Sequence, residues 1–164
     1  MSEALDPLPL LRALCERGIE HIIVGGFAVS AHGFIRVTKD LDIVPSPAAE
    51  NLERLAEMLR DLDASILDTA DFEPQEIPAD PTRAEDLTMG GNFCTQTDLG
   101  RLDVMQWLSG IDADDLYGEL AREAIESSID GLSVRVCGLD HLRAMKRAAG
   151  RPRDLEDLKG LGES

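Results

Sequence analysis

The sequence predicts an α+β domain of mixed α/β character, a mixed sheet flanked by helices with a helical segment at its C-terminal end. Three observations predict it. Short apolar or alternating runs suited to strands interleave with stretches whose leucines recur every three or four residues. Two strand pairs are joined by turn chemistry, Asp98-Leu99-Gly100 and Asp130-Gly131, so part of the sheet is antiparallel. After the last strand candidate the pattern turns wholly helical, over 139–162. The expected organisation is one domain over 1–164, with its core in 19–137.

Leu8, Leu10, Leu11, Leu14 and Cys15 follow Pro7 and Pro9 at helical spacing, and Gly18 closes that segment. Residues 20–24 read as a strand too apolar to be exposed on either face. A glycine pair, Gly25-Gly26, then hands over to a short helix carrying His32, which reads as structural. Residues 37–43 alternate as a second strand. Ser46-Pro47 reads as the N-cap and first position of a helix with an apolar face of Leu52, Leu55, Met58, Leu59 and Leu62.

From Asp63 to Met89 the pattern weakens. Ser65-Ile66-Leu67 suits a short strand, and the prolines at 74, 78 and 81 suit a surface excursion. Residues 92–97 and 101–105 read as a hairpin, with Arg101, Asp103 and Met105 on one strand face and Leu102 and Val104 on the other. A helix over 113–121, a second hairpin over 125–137 and helices over 139–149 and 153–161 complete the reading.

Composition narrows the function. The formal net charge of −16 argues against a surface that grips nucleic acid broadly, because phosphate binding needs basic side chains. One local basic patch stands out, at Arg143, Lys146, Arg147, Arg151 and Arg153. No apolar run approaches the length that spans a bilayer, and the acidic start lacks the layout of a secretory signal. Cys15, Cys94 and Cys137 are scattered and odd in number, which suits reduced thiols and a cytoplasmic protein; none has a partner at zinc-ligand spacing.

The chemistry concentrates between Val24 and Val44. Asp40 and Asp42, two apart on a strand, put two mutually repelling carboxylates on one face. A bound divalent cation accounts for that pair, since hard cations such as magnesium are held by carboxylate oxygens.

Gly25-Gly26, thirteen residues and then Asp40-Leu41-Asp42 resemble the core motif of the DNA polymerase beta-like nucleotidyltransferase superfamily. The Arg36, Thr38, Asp40, Asp42 spelling resembles the small bacterial members associated with toxin–antitoxin and abortive-infection systems, as does the tail from Lys146 to Leu158. The likeness covers most of the chain, with residues 64 to 90 matching least. It implies the polymerase beta-like fold and a third carboxylate on a later strand, a place Asp103 fills. It further implies that Asp40, Asp42 and Asp103 are catalytic and hold Mg2+, in a two-ion site that would also accept Mn2+. Gly25, Gly26, Thr38, Lys146, Arg151 and Arg153 would bind the nucleoside triphosphate. Many members carry serine where this chain has Gly26, so one hydroxyl contact to phosphate is missing.

Three functions compete. One is an enzyme that transfers a nucleoside monophosphate from a triphosphate to an acceptor hydroxyl, such as a toxin modifying transfer RNA. Another is an antitoxin-type enzyme modifying a partner toxin protein. The last is a non-catalytic module that binds a nucleotide or a partner.

Overall fold

A computed structural model of the chain describes residues 4–67 and 79–163. Its seven strands are β1 (His21–Val24), β2 (Asp40–Pro45), β3 (Ser65–Ile66), β4 (Phe93–Thr97), β5 (Gly100–Val104), β6 (Ile125–Ile129) and β7 (Leu132–Val136). They form one sheet in the order β3-β4-β5-β2-β1-β7-β6. The two inner pairs β2–β5 and β1–β7 are parallel, and the rest, including β1–β2, are antiparallel. The mixed sheet flanked by helices matches the expected fold class.

Among the described residues seven helices flank it: α1 (Leu8–Glu16), α2 (Gly25–Ala31), α3 (Ala49–Asp61), α4 (Ala84–Thr88), α5 (Leu116–Glu123), α6 (Leu139–Ala149) and α7 (Pro152–Gly160). The leucine stripes become the core: Leu10, Leu11 and Leu14 of α1 and Leu55, Met58 and Leu59 of α3 are fully buried. They join Ile22, Ile23, Leu41, Ile43, Leu102 and Val104 of the central strands in one cluster. The alternation along β2 and β5 is the physical origin of the site. With Leu41, Ile43, Leu102 and Val104 committed to the core, Asp40, Asp42 and Asp103 must face the other way.

Several boundaries differ from the sequence reading. The strand expected over 37–43 begins at Asp40, and Thr38 lies ahead of it, its carbonyl accepting from the Leu5 N–H at 2.8 Å. Helix α3 starts two residues beyond Pro47, with Ala48 as an N-cap that makes no side-chain bond. Instead the buried side chain of Asn51 ties the β1 and β2 ends together. Its Oδ1 accepts from the Glu20 N–H at 2.7 Å, and its Nδ2 donates to the carbonyls of Glu20 and Ser46 at 2.9 and 3.0 Å. The helix expected over 113–121 runs from Leu116, because Asp115 caps it by accepting from the Gly118 N–H. His32 is the C-cap of α2, its Nε2 paired with the Cys137 carbonyl at 2.8 Å, a structural role as expected.

Within 63–89, β3 pairs with β4 and α4 packs against α3, so part of the expected surface excursion is regular structure. Pro74 and Pro78 lie outside the described residues. No helix among the described residues is long and apolar enough to cross a membrane.

Candidate active site

Register brings the acids together. In the parallel β2–β5 pair Asp40 faces Arg101 and Asp42 faces Asp103, while antiparallel β1 places Val24 opposite Asp42. Carboxylate oxygens of Asp40, Asp42 and Asp103 all lie within 4.8 Å of one another. They line a cleft of about 550 Å³, together with Gly25, Gly26, Thr38, Lys146, Arg151 and Arg153. The nine residues to which the family resemblance gives a role thus border one cavity, while Arg143 and Arg147 of the basic patch do not.

The glycine pair works at closer range than a turn requires. Gly25 has φ +73, and a Cβ there would stand 1.9 Å from Asp42 Oδ2. A Cβ on Gly26 would stand 2.8 Å from both the Oγ1 and Cγ2 of Thr38. Thr38 is 4 % exposed, and its Oγ1 is buried with no hydrogen-bond partner. Leaving a buried hydroxyl unpaired costs about 1–3 kcal/mol, so this oxygen is suited to a ligand atom.

Electrostatics give the same picture. Burial, followed by the charges of Asp40 and Asp103, pushes the Asp42 carboxyl up to about 8. Burial and a side-chain hydrogen bond with Asp40 push Asp103 up to about 6, against the pull of Arg101. Three acids sharing so little space resist ionising together unless positive charge arrives. Arg101 supplies some: its Nε stands 3.2 Å from Asp103 Oδ1 and 3.9 Å from Asp40 Oδ2. An all-carboxylate set fits a hard divalent cation such as magnesium, and the orphaned Thr38 hydroxyl beside it fits an anionic oxygen.

The basic tail residues are placed differently from the patch the sequence suggested. Lys146 is 7 % exposed and held between two fully buried acids of α7, 3.2 Å from Asp154 Oδ1 and 2.9 Å from Asp157 Oδ2. Arg151 donates to both Asp154 oxygens through Nε and Nη2, at 2.7 and 3.2 Å. Burial raises the Asp154 carboxyl, but hydrogen bonds from Arg151 and Lys146 outweigh it and hold the group below the usual range. Arg147 pairs with Glu163, and Arg143 Nη2 donates to the Leu161 carbonyl. Arg153 is exposed and lines the cleft.

Sequence reasoning left three contributors unassigned. Arg36 reaches Asp157 with Nε and Nη2, at 2.8 and 3.0 Å, and lines the cleft. Arg101 sits among the acids, a place its strand face alone signalled. Trp107, just past β5, opens onto the same cleft, and nothing in its sequence context marks it.

No family model matches the chain, and no curated protein matches it by sequence. Solved structures do. The lincosamide antibiotic adenylyltransferase LnuA, with lincomycin bound, superposes with a TM-score of 0.64 over 98% of both chains at 13% identity. ANT(2")-Ia in complex with adenylyl-2"-tobramycin gives a TM-score of 0.56 at 18% identity, covering 93% of this chain and 83% of that one. An antigenic nucleotidyltransferase-like protein from Paracoccidioides brasiliensis gives 0.53 at 14% identity, over 93% and 70%. The chain therefore has the nucleotidyltransferase fold of the polymerase beta-like type.

Proposed function

We propose that the chain is a magnesium-dependent nucleotidyltransferase, acting as one domain, that moves a nucleoside monophosphate from a triphosphate to an acceptor hydroxyl. The observation that carries this reading is the convergence of Asp40, Asp42 and Asp103 within 4.8 Å on the floor of an open cleft. The shared fold with adenylyltransferases supports it.

In this reading Asp40, Asp42 and Asp103 hold the cation, magnesium or alternatively manganese. Bound there, it supplies positive charge against the oxygens that become more negative during transfer. The acceptor oxygen bonds to the α-phosphorus as the bond to the β-phosphate breaks and pyrophosphate leaves. Asp103, opposite Asp42 in the β2–β5 pair and lining the cleft, takes the acceptor's proton. Thr38 donates its orphaned hydroxyl to a phosphate oxygen, and the Gly25-Gly26 backbone lies close against the phosphates. Lys146, Arg151 and Arg153, with Arg36 and Arg101, offset the triphosphate charge from the cleft walls.

Two acceptor classes follow. An RNA such as transfer RNA, or a partner protein, suits a toxin or antitoxin of a phage-defence system, as the motif spelling suggests. A small hydroxylated compound is favoured by the pairing of Lys146, Arg147 and Arg151 with acids, which leaves little free positive surface for a polyanion. Incubation with labelled nucleoside triphosphates and magnesium, offered transfer RNA, candidate proteins, lincomycin and tobramycin, distinguishes them. Label should pass to one class and be lost in Asp40→Asn/Asp42→Asn. Equal behaviour of wild type and that variant across the panel would leave a non-catalytic binding module.

A further inference from the structure

We propose that Trp107 is the stacking platform for the nucleobase of the donor nucleotide, an assignment that rests on the nucleotidyl-transfer reading of the cleft. Large apolar side chains left in water generally mark a contact surface. Among the described residues, six are exposed: Ile35, Val37, Met89, Trp107, Ile125 and Leu155. Of these, Trp107 alone lines the cleft, and it does so at 65% exposure.

Its peptide is firmly held. Asn92 Oδ1 accepts from the Gln106 N–H at 2.8 Å and from the Trp107 N–H at 3.0 Å, while Asn92 Nδ2 donates to the Trp107 carbonyl at 3.0 Å. One side chain thus satisfies three backbone groups around the tryptophan and fixes the indole's attachment point. A side chain anchored this way, yet left in water over an acid-floored cleft, is presented for a ligand.

The register gives the ligand's orientation. Thr38 lies before Asp40 in the chain, and Gly26 lies against Thr38, so the orphaned hydroxyl and the Gly26 backbone share one end of the cleft, with Gly25 leading from it toward Asp42. Asp42 and Asp103 pair across the middle. Past Asp103 the β5 chain runs away from that end to Met105, Trp107 and Leu108, which line the cleft with Met145 of α6. Along this axis come hydrogen-bond donors, then acids for a cation, then an apolar bed under an indole. A nucleoside triphosphate has the same layout, with anionic terminal phosphates, an α-phosphate at the reaction centre and a flat ring beyond. Stacking on an indole also tolerates any base, because every base presents a π face.

Trp107 is the single tryptophan of the chain, so its fluorescence reports this one position. The protein is titrated with a non-hydrolysable ATP analogue and, separately, with inorganic tripolyphosphate, both with magnesium, and binding is followed by calorimetry and fluorescence. The analogue should quench the emission, whereas tripolyphosphate should bind without quenching. Trp107→Ala should weaken the analogue by about 5- to 100-fold, leave tripolyphosphate unchanged, and be partly rescued by Trp107→Phe. The side chain is mostly in water, so its truncation spares the core. An analogue that binds with unchanged emission, or with equal affinity to Trp107→Ala, overturns the assignment and leaves the transferase reading standing. If neither ligand binds, both fall.

Discussion

A Cβ built on Gly25 would lie 1.9 Å from Oδ2 of Asp42, well inside van der Waals contact, and the same residue has φ +73. The glycine is therefore required twice over, by backbone conformation and by the acid pressed against it. Gly25→Ala should push the Asp42 carboxylate out of the trio and strain the start of α2. We expect transfer to fall by at least two orders of magnitude and stability to fall by about 1–3 kcal/mol. Gly33→Ala, also at positive φ but with nothing within 4 Å of its Cβ, should lower stability and leave activity intact. Equal losses of activity in the two would show that the conformation matters and the Asp42 contact does not.

Asp42 makes a pH prediction with a definite sign. Its ordinary value is 3.8, and in the folded chain it rises to about 8, so folding favours the protonated form. That contribution is whole below about pH 4, shrinks as pH rises and is lost through pH 8. Asp42→Asn imitates the protonated carboxyl at every pH. Without metal the variant should melt several degrees above wild type at pH 8.5, with the gap closing toward pH 4.5. Added magnesium should narrow the gap at pH 8.5 by stabilising only wild type. A gap independent of pH would mean that Asp42 is not held protonated.

Arg101 stands where a cation is wanted, 3.2 Å from Asp103 and 3.9 Å from Asp40. Its guanidinium compensates the acids and so competes with a metal ion for them. Arg101→Gln should tighten magnesium binding in the absence of nucleotide by about tenfold, the size of a charge-assisted pair of about 1.5 kcal/mol. Calorimetric titration of the nucleotide-free protein measures it. Weaker magnesium binding in the variant would assign Arg101 to holding Asp103 in place.

How far the site could be read from the chain depended on whether its residues signal locally. Asp40, Asp42 and the glycine pair sit in one stretch where strand alternation fixes their face, and Asp103 sits on a strand with the same alternation; these were legible. The start of β2 was not, because Val37 and Thr38 have strand-like side chains while the Thr38 carbonyl bonds to Leu5 instead of a neighbouring strand. Ser46-Pro47 has the spelling of an N-cap, but α3 starts at Ala49 after an uncapped Ala48, and Asn51, inside the helix, binds Glu20, 31 residues away, which no local pattern announces. For the tail cations the sequence offers an ion pair with Asp154 or Asp157 as an alternative to a nucleotide role, and local spacing does not choose between them; Lys146 and Arg151 make such pairs. Asp154 and Asp157 look like the wet side of a helix until α7 packs against α6 and buries them. Pairings between distant segments leave no periodic trace, and Arg36, 121 residues from Asp157, is the clearest case.

That last pairing gives the final prediction. Asp157 is fully buried and takes two hydrogen bonds from Arg36 and one contact from Lys146, so a single carboxylate positions two cations that line the cleft. Asp157→Asn keeps the volume but removes the charge, leaving both cations short of a partner in a poorly solvated place. We expect a stability loss of about 2–4 kcal/mol, toward the lower end of breaking a buried pair because the amide still accepts hydrogen bonds. We also expect the KM for the nucleoside triphosphate to rise about tenfold with a smaller change in kcat, as the two cations lose their aim at the phosphates. Asp154→Asn should act in the same direction through Lys146 and Arg151, and Lys159→Ala, exposed on the same helix, should change neither quantity. Steady-state kinetics beside thermal melts decide the matter. A stability loss with an unchanged KM would make the α6–α7 network a structural brace and remove Arg36 and Lys146 from the nucleotide site.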